Sequence, residues 1–221
     1  MTESIKSVIV IGATGLVGRE LLKQLNALQS CEKITAVVRH EDAELKKLAK
    51  VQQFIIDDFL LLNDEDVQGY SHAFSCLGST LKKAGSKQNF YNIDYEINAH
   101  FADLLQSSAT HYLLISAMGA NPQSRIFYNQ VKGKLEQYIQ SLTLTRVSII
   151  RPSLLLGQRP EQRGLEDAAQ KLYQKLSHLV PDRFKYKPVT AQQVASTLVD
   201  AAQNQTTAFE MYDNLRIHNF K

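Results

Sequence analysis

Three glycines, each three residues apart, follow directly on a short apolar run near the start of the chain. The run is Ser7–Ile11, and the glycines are Gly12, Gly15 and Gly18. A continuous β-branched run that ends in glycine is typical of a strand buried on both faces, and leucines at helical spacing come after it. In a strand–helix turn of this kind the glycines permit a tight turn, close approach of a pyrophosphate and close helix packing. An ordinary turn that contains glycines by chance is the alternative. The residues expected to contact the phosphates are Gly12, Thr14, Gly15, Leu16, Val17 and Gly18.

Apolar β-branched runs alternate with amphipathic segments along the next 130 or so residues, which indicates right-handed crossovers onto a parallel sheet. We therefore predict an α/β fold, a doubly wound parallel sheet of Rossmann type with strand order 3-2-1-4-5-6. The whole chain, residues 1–221, is expected to form one domain, with a small substrate-side segment at about 152–188. Predicted strands are 7–11, 33–38, 54–56, 72–77, 112–116 and 145–150, with 209–212 as a candidate last strand; predicted helices are 15–28, 42–50, 89–108, 124–141, 165–179 and one that begins at Thr190.

Composition excludes several classes of protein. The net charge is +3, and no run of five basic residues suggests a nucleic-acid footprint. The two cysteines, Cys31 and Cys76, and the six histidines show no metal-ligand spacing. No apolar stretch approaches the roughly 20 residues of a membrane span. We expect a reduced, cytoplasmic protein without a metal and without membrane or nucleic-acid partners.

The end of the second predicted strand bears on which dinucleotide binds. Sites that prefer NAD place an acidic residue there, whereas an arginine accommodates the 2′-phosphate of NADP. Arg39 occupies this position, so we predict NADPH, with a solvated surface charge as the alternative for Arg39. Arg19, just after the third glycine, is equally compatible with a phosphate contact and with a plain helix-surface role.

A tyrosine and a lysine stand four residues apart on a predicted helix, and a serine ends the strand before it. Tyr128 and Lys132 therefore share a helix face, and Ser116 lies at the strand end where ligands bind in such sheets. A nearby lysine cation favours the ionised form of a tyrosine, and a serine hydroxyl can hydrogen-bond an oxygen on which charge develops. These three residues are the predicted catalytic set, with structural roles for each as the alternative.

The glycine turn, Ser116 and the Tyr128/Lys132 pair together resemble the short-chain dehydrogenase/reductase superfamily. The segments Cys-Leu-Gly-Ser-Thr at 76–80, Val-Lys-Gly at 131–133 and Arg-Pro at 151–152 look like its atypical branch of Tat-interacting-protein-like oxidoreductases. The resemblance spans roughly residues 5–200. It implies that the following residues contact the cofactor: Asp58 at the adenine, Leu77, Gly78 and Ser79 along its length, Pro152 beside the nicotinamide, and Lys132 at the ribose. Members of the superfamily also carry an asparagine that completes a proton relay, for which Asn98 is the candidate.

Two functions remain open on the sequence. The first is an NADPH-dependent oxidoreductase that reduces a small carbonyl compound at the Ser-Tyr-Lys site. The second is a regulatory protein that senses NADPH and binds a protein partner with little or no turnover. Retention of the three site residues together favours the enzyme. The sequence fixes neither the substrate nor the oligomeric state.

Overall fold

The computed structural model describes residues 4–156 and 186–219. Seven parallel strands form its main sheet: β1 (Ser7–Ile11), β2 (Lys33–Val38), β3 (Val51–Ile55), β4 (His72–Ser75), β5 (His111–Ile115), β6 (Arg146–Ile150) and β9 (Phe209–Tyr212). Two further strands, β7 (Leu155–Leu156) and β8 (Val189–Thr190), form a separate two-stranded sheet. The order in the main sheet is β3-β2-β1-β4-β5-β6-β9, which confirms the predicted order and places the last strand beside β6.

The described helices are α1 (Leu16–Ala27), α2 (Asp64–Val67), α3 (Leu81–Ala84), α4 (Lys87–Tyr91), α5 (Ile97–Asp103), α6 (Phe127–Ser141), α7 (Ala191–Asn204) and α8 (Asn214–Asn219). The short helices α2, α3 and α8 were not predicted, and two predicted helices differ from those observed. The long helix predicted at 89–108 is interrupted by a π-helical segment, Asn92–Glu96, between α4 and α5. The helix predicted at 42–50 is wrong: only a 3₁₀ turn, Leu45–Lys47, forms there.

The sheet carries a hydrophobic core on each face because successive side chains of a strand point to opposite sides. In β1, Val8 and Val10 pack with the leucines of α1 and with α7, whereas Ile9 and Ile11 pack with α5 and α6. The central strands β1, β4, β5 and β6 are therefore buried almost throughout, as their continuous apolar runs predicted, whereas the edge strands β3 and β9 are partly exposed.

Residues 189–212 contribute β8, α7 and β9, and β9 pairs with β6. Thr190, where a helix was predicted to begin, is the N-cap of α7 and forms a capping box: its hydroxyl accepts from the Gln193 backbone amide, and the Gln193 side chain accepts from the Thr190 backbone amide. Most of the predicted substrate-side segment, including the helix expected at 165–179, lies outside the described residues. Within residues 4–156 and 186–219, no helix has the length and apolar character needed to cross a bilayer.

Candidate functional site

One edge of the sheet gathers the predicted site residues. Because all seven strands run parallel, their carboxyl ends meet at this edge, where ligands bind in open α/β sheets. The segments at successive strand ends are the glycine turn after β1, Arg39 after β2, Asp57 and Asp58 after β3, Leu77–Ser79 after β4, Ser116 after β5 and Pro152 after β6.

The glycine turn, residues 12–18, is shaped by close backbone contacts. Gly12 has a φ of +73°, and a Cβ there would lie 2.4 Å from the Leu77 amide nitrogen. A Cβ on Gly18 would lie 2.3 Å from the Gly12 carbonyl oxygen. Neither position has room for a side chain, so the glycines hold β1, α1 and the loop after β4 together.

The first turn of α1 fits a bound phosphate. Gly15 is the N-cap, and no side chain caps the helix. The backbone amides of Leu16, Val17 and Gly18 therefore present the positive end of the helix dipole to whatever occupies the turn. Thr14 lies exposed beside them. These residues fit the pyrophosphate of a dinucleotide.

Arg19 and Arg39 have different surroundings. Arg19 makes a two-pronged ion pair with Asp42, at 3.1 and 2.5 Å, and its Nε donates to the Thr14 carbonyl at 3.1 Å. The hydrogen bond from Arg19 lowers the pKa of Asp42 below its ordinary value. Arg19 thus ties the glycine turn to the loop after β2. Arg39 is exposed and, across the described part of the chain, makes no side-chain hydrogen bond or ion pair.

Asp58 already has a local role. Its carboxylate accepts from the Leu60 amide at 3.0 Å and caps a 3₁₀ turn, Phe59–Leu61. Asp57 beside it is exposed. The adenine contact implied for Asp58 stays a prediction.

Lys132 is buried in what we call the lysine cluster: Lys132, Asp94, Gly78 and Ser79. Its Nζ lies 2.8 Å from Asp94 Oδ1, and the two side chains are 4% and 0% exposed. Asp94 Oδ2 accepts from the Ser79 amide at 2.8 Å. Burial alone would lower the pKa of Lys132, but Asp94, Tyr128 and Glu136 together outweigh it, and the pKa is raised above its ordinary value. Lys132 is therefore a cation held against the loop after β4.

Ser116 follows β5, and Tyr128 lies at the start of α6. The Ser116 amide donates to the Ile150 carbonyl at 2.8 Å and so continues β5 by one residue. Its hydroxyl is fully buried and has no hydrogen-bond partner among the described residues. Tyr128 lies in the first turn of α6, four residues before Lys132, with its ring centroid 5.4 Å from that of Phe90.

Pro152 connects the segment after β6 with the segment after β5. Its carbonyl accepts from the Met118 amide at 3.0 Å, which ties the segment after β6 to the segment after Ser116. Pro152 itself is buried. Its implied contact with nicotinamide stays a prediction.

Sequence reasoning missed two acidic residues. Asp94 faces Lys132, whereas the suggested relay residue Asn98 is bonded elsewhere: its amide donates to the Ile93 carbonyl at 2.9 Å, and its oxygen accepts from Ser75. Glu136, one turn beyond Lys132, pairs with Arg151 through two hydrogen bonds. Glu136 shares the Tyr128/Lys132 helix face at four-residue spacing, a signal that could have identified it.

Nothing in this region suggests thiol or metal chemistry. Burial raises the pKa of the Cys76 thiol to about 12, so a thiolate nucleophile is not available there. In residues 4–156 and 186–219, no three His, Cys, Asp or Glu side chains come together as metal ligands.

The sequence matches the profile of a family described as NAD(P)H-binding over residues 12–205. It is 35% identical over 199 residues to the protein FMP52-1, mitochondrial, of Scheffersomyces stipitis, covering 89% of this chain and 88% of that one. It is 34% identical over 172 residues to the protein HTATIP2 of Rattus norvegicus, covering 76% and 70%. These matches confirm the resemblance to the atypical, Tat-interacting-protein-like branch.

Among solved structures, an oxidoreductase of the short-chain dehydrogenase/reductase family from Burkholderia thailandensis superposes with a TM-score of 0.67. The identity is 14%, and the alignment covers 97% of this chain and 93% of that one. At this identity the likeness establishes the fold, and it confirms the Rossmann-type prediction.

The expected cytoplasmic location is wrong by this comparison. Several relatives, including those of Scheffersomyces stipitis, Debaryomyces hansenii and Candida albicans, carry the word mitochondrial in their names. The expectation depended on composition, which does not distinguish reducing compartments.

Proposed function

This chain belongs to the NAD(P)H-binding family, in its atypical short-chain dehydrogenase/reductase branch, and on that premise we propose that it is an NADPH-dependent reductase of a small carbonyl compound. The observation that carries the proposal is the buried Ser116 hydroxyl without a partner. A buried hydroxyl left unpaired costs about 1–3 kcal/mol, so its place at a ligand-binding strand end needs a reason. A substrate oxygen that accepts from it supplies that reason.

The proposed chemistry divides among three side chains. When bound, the reduced nicotinamide supplies a hydride to the carbonyl carbon. Ser116 Oγ donates a hydrogen bond to the carbonyl oxygen and stabilises the charge that develops there. Tyr128 gives its phenolic proton to the same oxygen, which completes the alcohol, and is reprotonated from water. The Lys132 cation, four residues along the helix, favours the phenolate formed in that step.

The preference for NADPH is argued from Arg39. It stands at the end of β2 without another partner among the described residues, and no acidic residue occupies this position. Arg19 is occupied by Asp42 and the Thr14 carbonyl. We therefore assign the 2′-phosphate to Arg39 and a supporting role to Arg19.

NADPH oxidation across a panel of aldehydes, ketones and quinones tests the proposal, with Ser116→Ala as the key variant. We expect Ser116→Ala to lower turnover by about 10²–10³, because one donor to the developing oxyanion is lost. Its stability should be unchanged or higher, since the unpaired hydroxyl disappears. Ser141→Ala, on the exposed end of α6, is the matched control and should keep full activity.

Two outcomes would contradict the reductase. If wild type and Ser116→Ala had equal turnover, the Ser116 hydroxyl would have no role in catalysis. No turnover on any carbonyl class, together with NADPH-dependent capture of a protein partner, would favour the sensing function instead.

A further inference from the structure

Asp94 is a fully buried carboxylate with two different partners. One oxygen lies 2.8 Å from Lys132 Nζ, and the other accepts from the Ser79 amide at 2.8 Å. Gly78 lies directly over the pair: a Cβ there would stand 3.1 Å from Asp94 Oδ1 and 3.4 Å from Lys132 Nζ. The carboxylate therefore links the lysine of α6 to the loop after β4.

The backbone around Asp94 is irregular at this point. Asp94 lies in the π-helical segment Asn92–Glu96 between two α-helices. Such segments widen a helix by one residue and occur frequently at functional sites. In a regular α-helix, the residues after Asp94 would stand at a different rotation about the helix axis relative to the residues before it.

Burying two charges away from water is costly unless they are paired. The surroundings of Lys132 act on its pKa in opposite directions. Burial by itself lowers the pKa of Lys132, while Asp94, followed by Tyr128 and Glu136, raises it, with a net rise above the ordinary value. Glu136 pairs with Arg151, so Asp94 is the carboxylate that contacts Lys132 directly.

We propose that Asp94 is a positioning residue for the site proposed above: its carboxylate holds the Lys132 ammonium beneath Gly78 and ties Ser79 to it. The loop after β4 and the lysine then move as one unit. This inference rests on the proposed function for its consequence in catalysis, but the lysine–carboxylate link can be measured without a cofactor.

The consequence is insensitivity to alkaline pH. With Asp94 present, Lys132 keeps its charge well above neutrality, so cofactor affinity should be flat from about pH 6.5 to 9.5. In Asp94→Asn the largest favourable charge is gone, while burial, the strongest single influence on this pKa, remains, so Lys132 should lose its proton at a lower pH than an ordinary lysine. Cofactor affinity should then fall by about tenfold per pH unit above that new midpoint.

The primary test is ¹⁵N NMR titration of the Lys132 Nζ resonance without cofactor, assigned by its disappearance in Lys132→Met. In wild type we expect a midpoint above the ordinary 10.5, and in Asp94→Asn a midpoint below it. Asp103→Asn is the matched control, because it removes a carboxylate that bonds Tyr138 and lies outside the lysine cluster. It should titrate like wild type.

The second measurement is NADPH titration at several pH values. Asp94→Asn should show the alkaline loss of affinity, and Asp94→Asn combined with Lys132→Met should show none. A purely structural role would lower affinity equally at every pH and would overturn the proposal. So would a wild-type Lys132 midpoint below 10.5, a result that decides the matter even if Asp94→Asn does not fold.

Failure of the proposed function is distinguishable from failure of this inference. If wild type does not bind NADPH, the reductase is wrong, while the lysine titration still decides the role of Asp94. If NADPH binds and Lys132 titrates identically in wild type and Asp94→Asn, the inference is wrong and the reductase stands.

Discussion

The glycine turn and the lysine cluster lie at neighbouring strand ends of one sheet edge, yet they are built in different ways. The turn is a run of seven residues, 12–18, whose function lies in backbone atoms: a positive φ, close carbonyl contacts and unpaired helix amides. The lysine cluster brings together three segments distant in sequence, and its function lies in two buried opposite charges. The glycine turn thus acts through the shape of its backbone, and the lysine cluster acts through the attraction between its two buried charges.

The loop after β4 joins the two regions. Leu77 meets Gly12 at one end, and Gly78 covers Asp94 and Lys132 at the other. If the comparison is right, substitutions in the turn should change cofactor affinity and packing, whereas substitutions near the lysine should change proton chemistry.

The largest effect is expected for Tyr128→Phe. Removing only the hydroxyl should lower turnover by about 10²–10⁴, the range for loss of a general acid, and leave NADPH affinity nearly unchanged. Steady-state kinetics and a cofactor titration measure the two separately. Tyr138→Phe is the control, because it removes a hydroxyl from the same helix where Asp103 binds it. Full activity in Tyr128→Phe would show that the proton comes from another group, and the region near the lysine would then not control proton transfer.

A smaller effect is expected in the glycine turn, where two glycines should behave differently. In Gly18→Ala the new methyl group would collide with the Gly12 carbonyl at 2.3 Å, so stability should fall by about 1–3 kcal/mol and affinity by up to about a hundredfold. In Gly15→Ala the nearest protein atom, the Gly12 carbonyl oxygen, is 3.1 Å away, so stability should fall less than in Gly18→Ala while affinity still falls.

Thermal unfolding and NADPH titration of both variants decide this prediction. Equal losses of stability in the two would show that packing inside the protein, and not approach of the phosphates, explains both glycines. Phosphate recognition would then depend on the helix amides alone.

The fold was predictable to the extent that burial imposes a local pattern. Continuous apolar runs identified β1, β2 and β5 and their parallel order, because both faces of the sheet are covered. β3 was placed too late, since Gln52 and Gln53 interrupt its apolar pattern at the sheet edge. The helix predicted at 42–50 does not extend beyond one turn: the Asp42 carboxylate accepts from the Glu44 and Leu45 amides as an N-cap does, but Leu48 is already extended, with φ −92° and ψ 110°, and leads into β3.

The site residues, like the elements of the fold, were predictable where the sequence carries a local pattern. The glycine turn and the Tyr128/Lys132 pair have fixed spacing, so the sequence alone identifies them. Asp94 has no such spacing relative to Lys132, and a single acidic residue in a polar helical stretch carries no pattern. The role of Arg19 was open for the same reason: its partner Asp42 lies in another loop. Long-range charge pairing is visible only once the chain is folded.

The smallest effect is expected at Arg39, and it tests whether charge also matters on the glycine-turn side of the site. Arg39→Ala should weaken NADPH binding by about tenfold, the lower end for a charge-assisted contact, because Arg39 is exposed and screened by solvent. NADH lacks the 2′-phosphate, so its affinity should not change. Lys33→Ala is the matched control: it removes a cation from the opposite end of the same strand, where Lys33 lies over the Tyr70 ring. If both variants weakened NADPH equally, the cause would be the overall positive charge of the protein and not a phosphate contact. If wild type bound NADH as tightly as NADPH, Arg39 would have no role in cofactor choice, and recognition there would depend on backbone geometry alone.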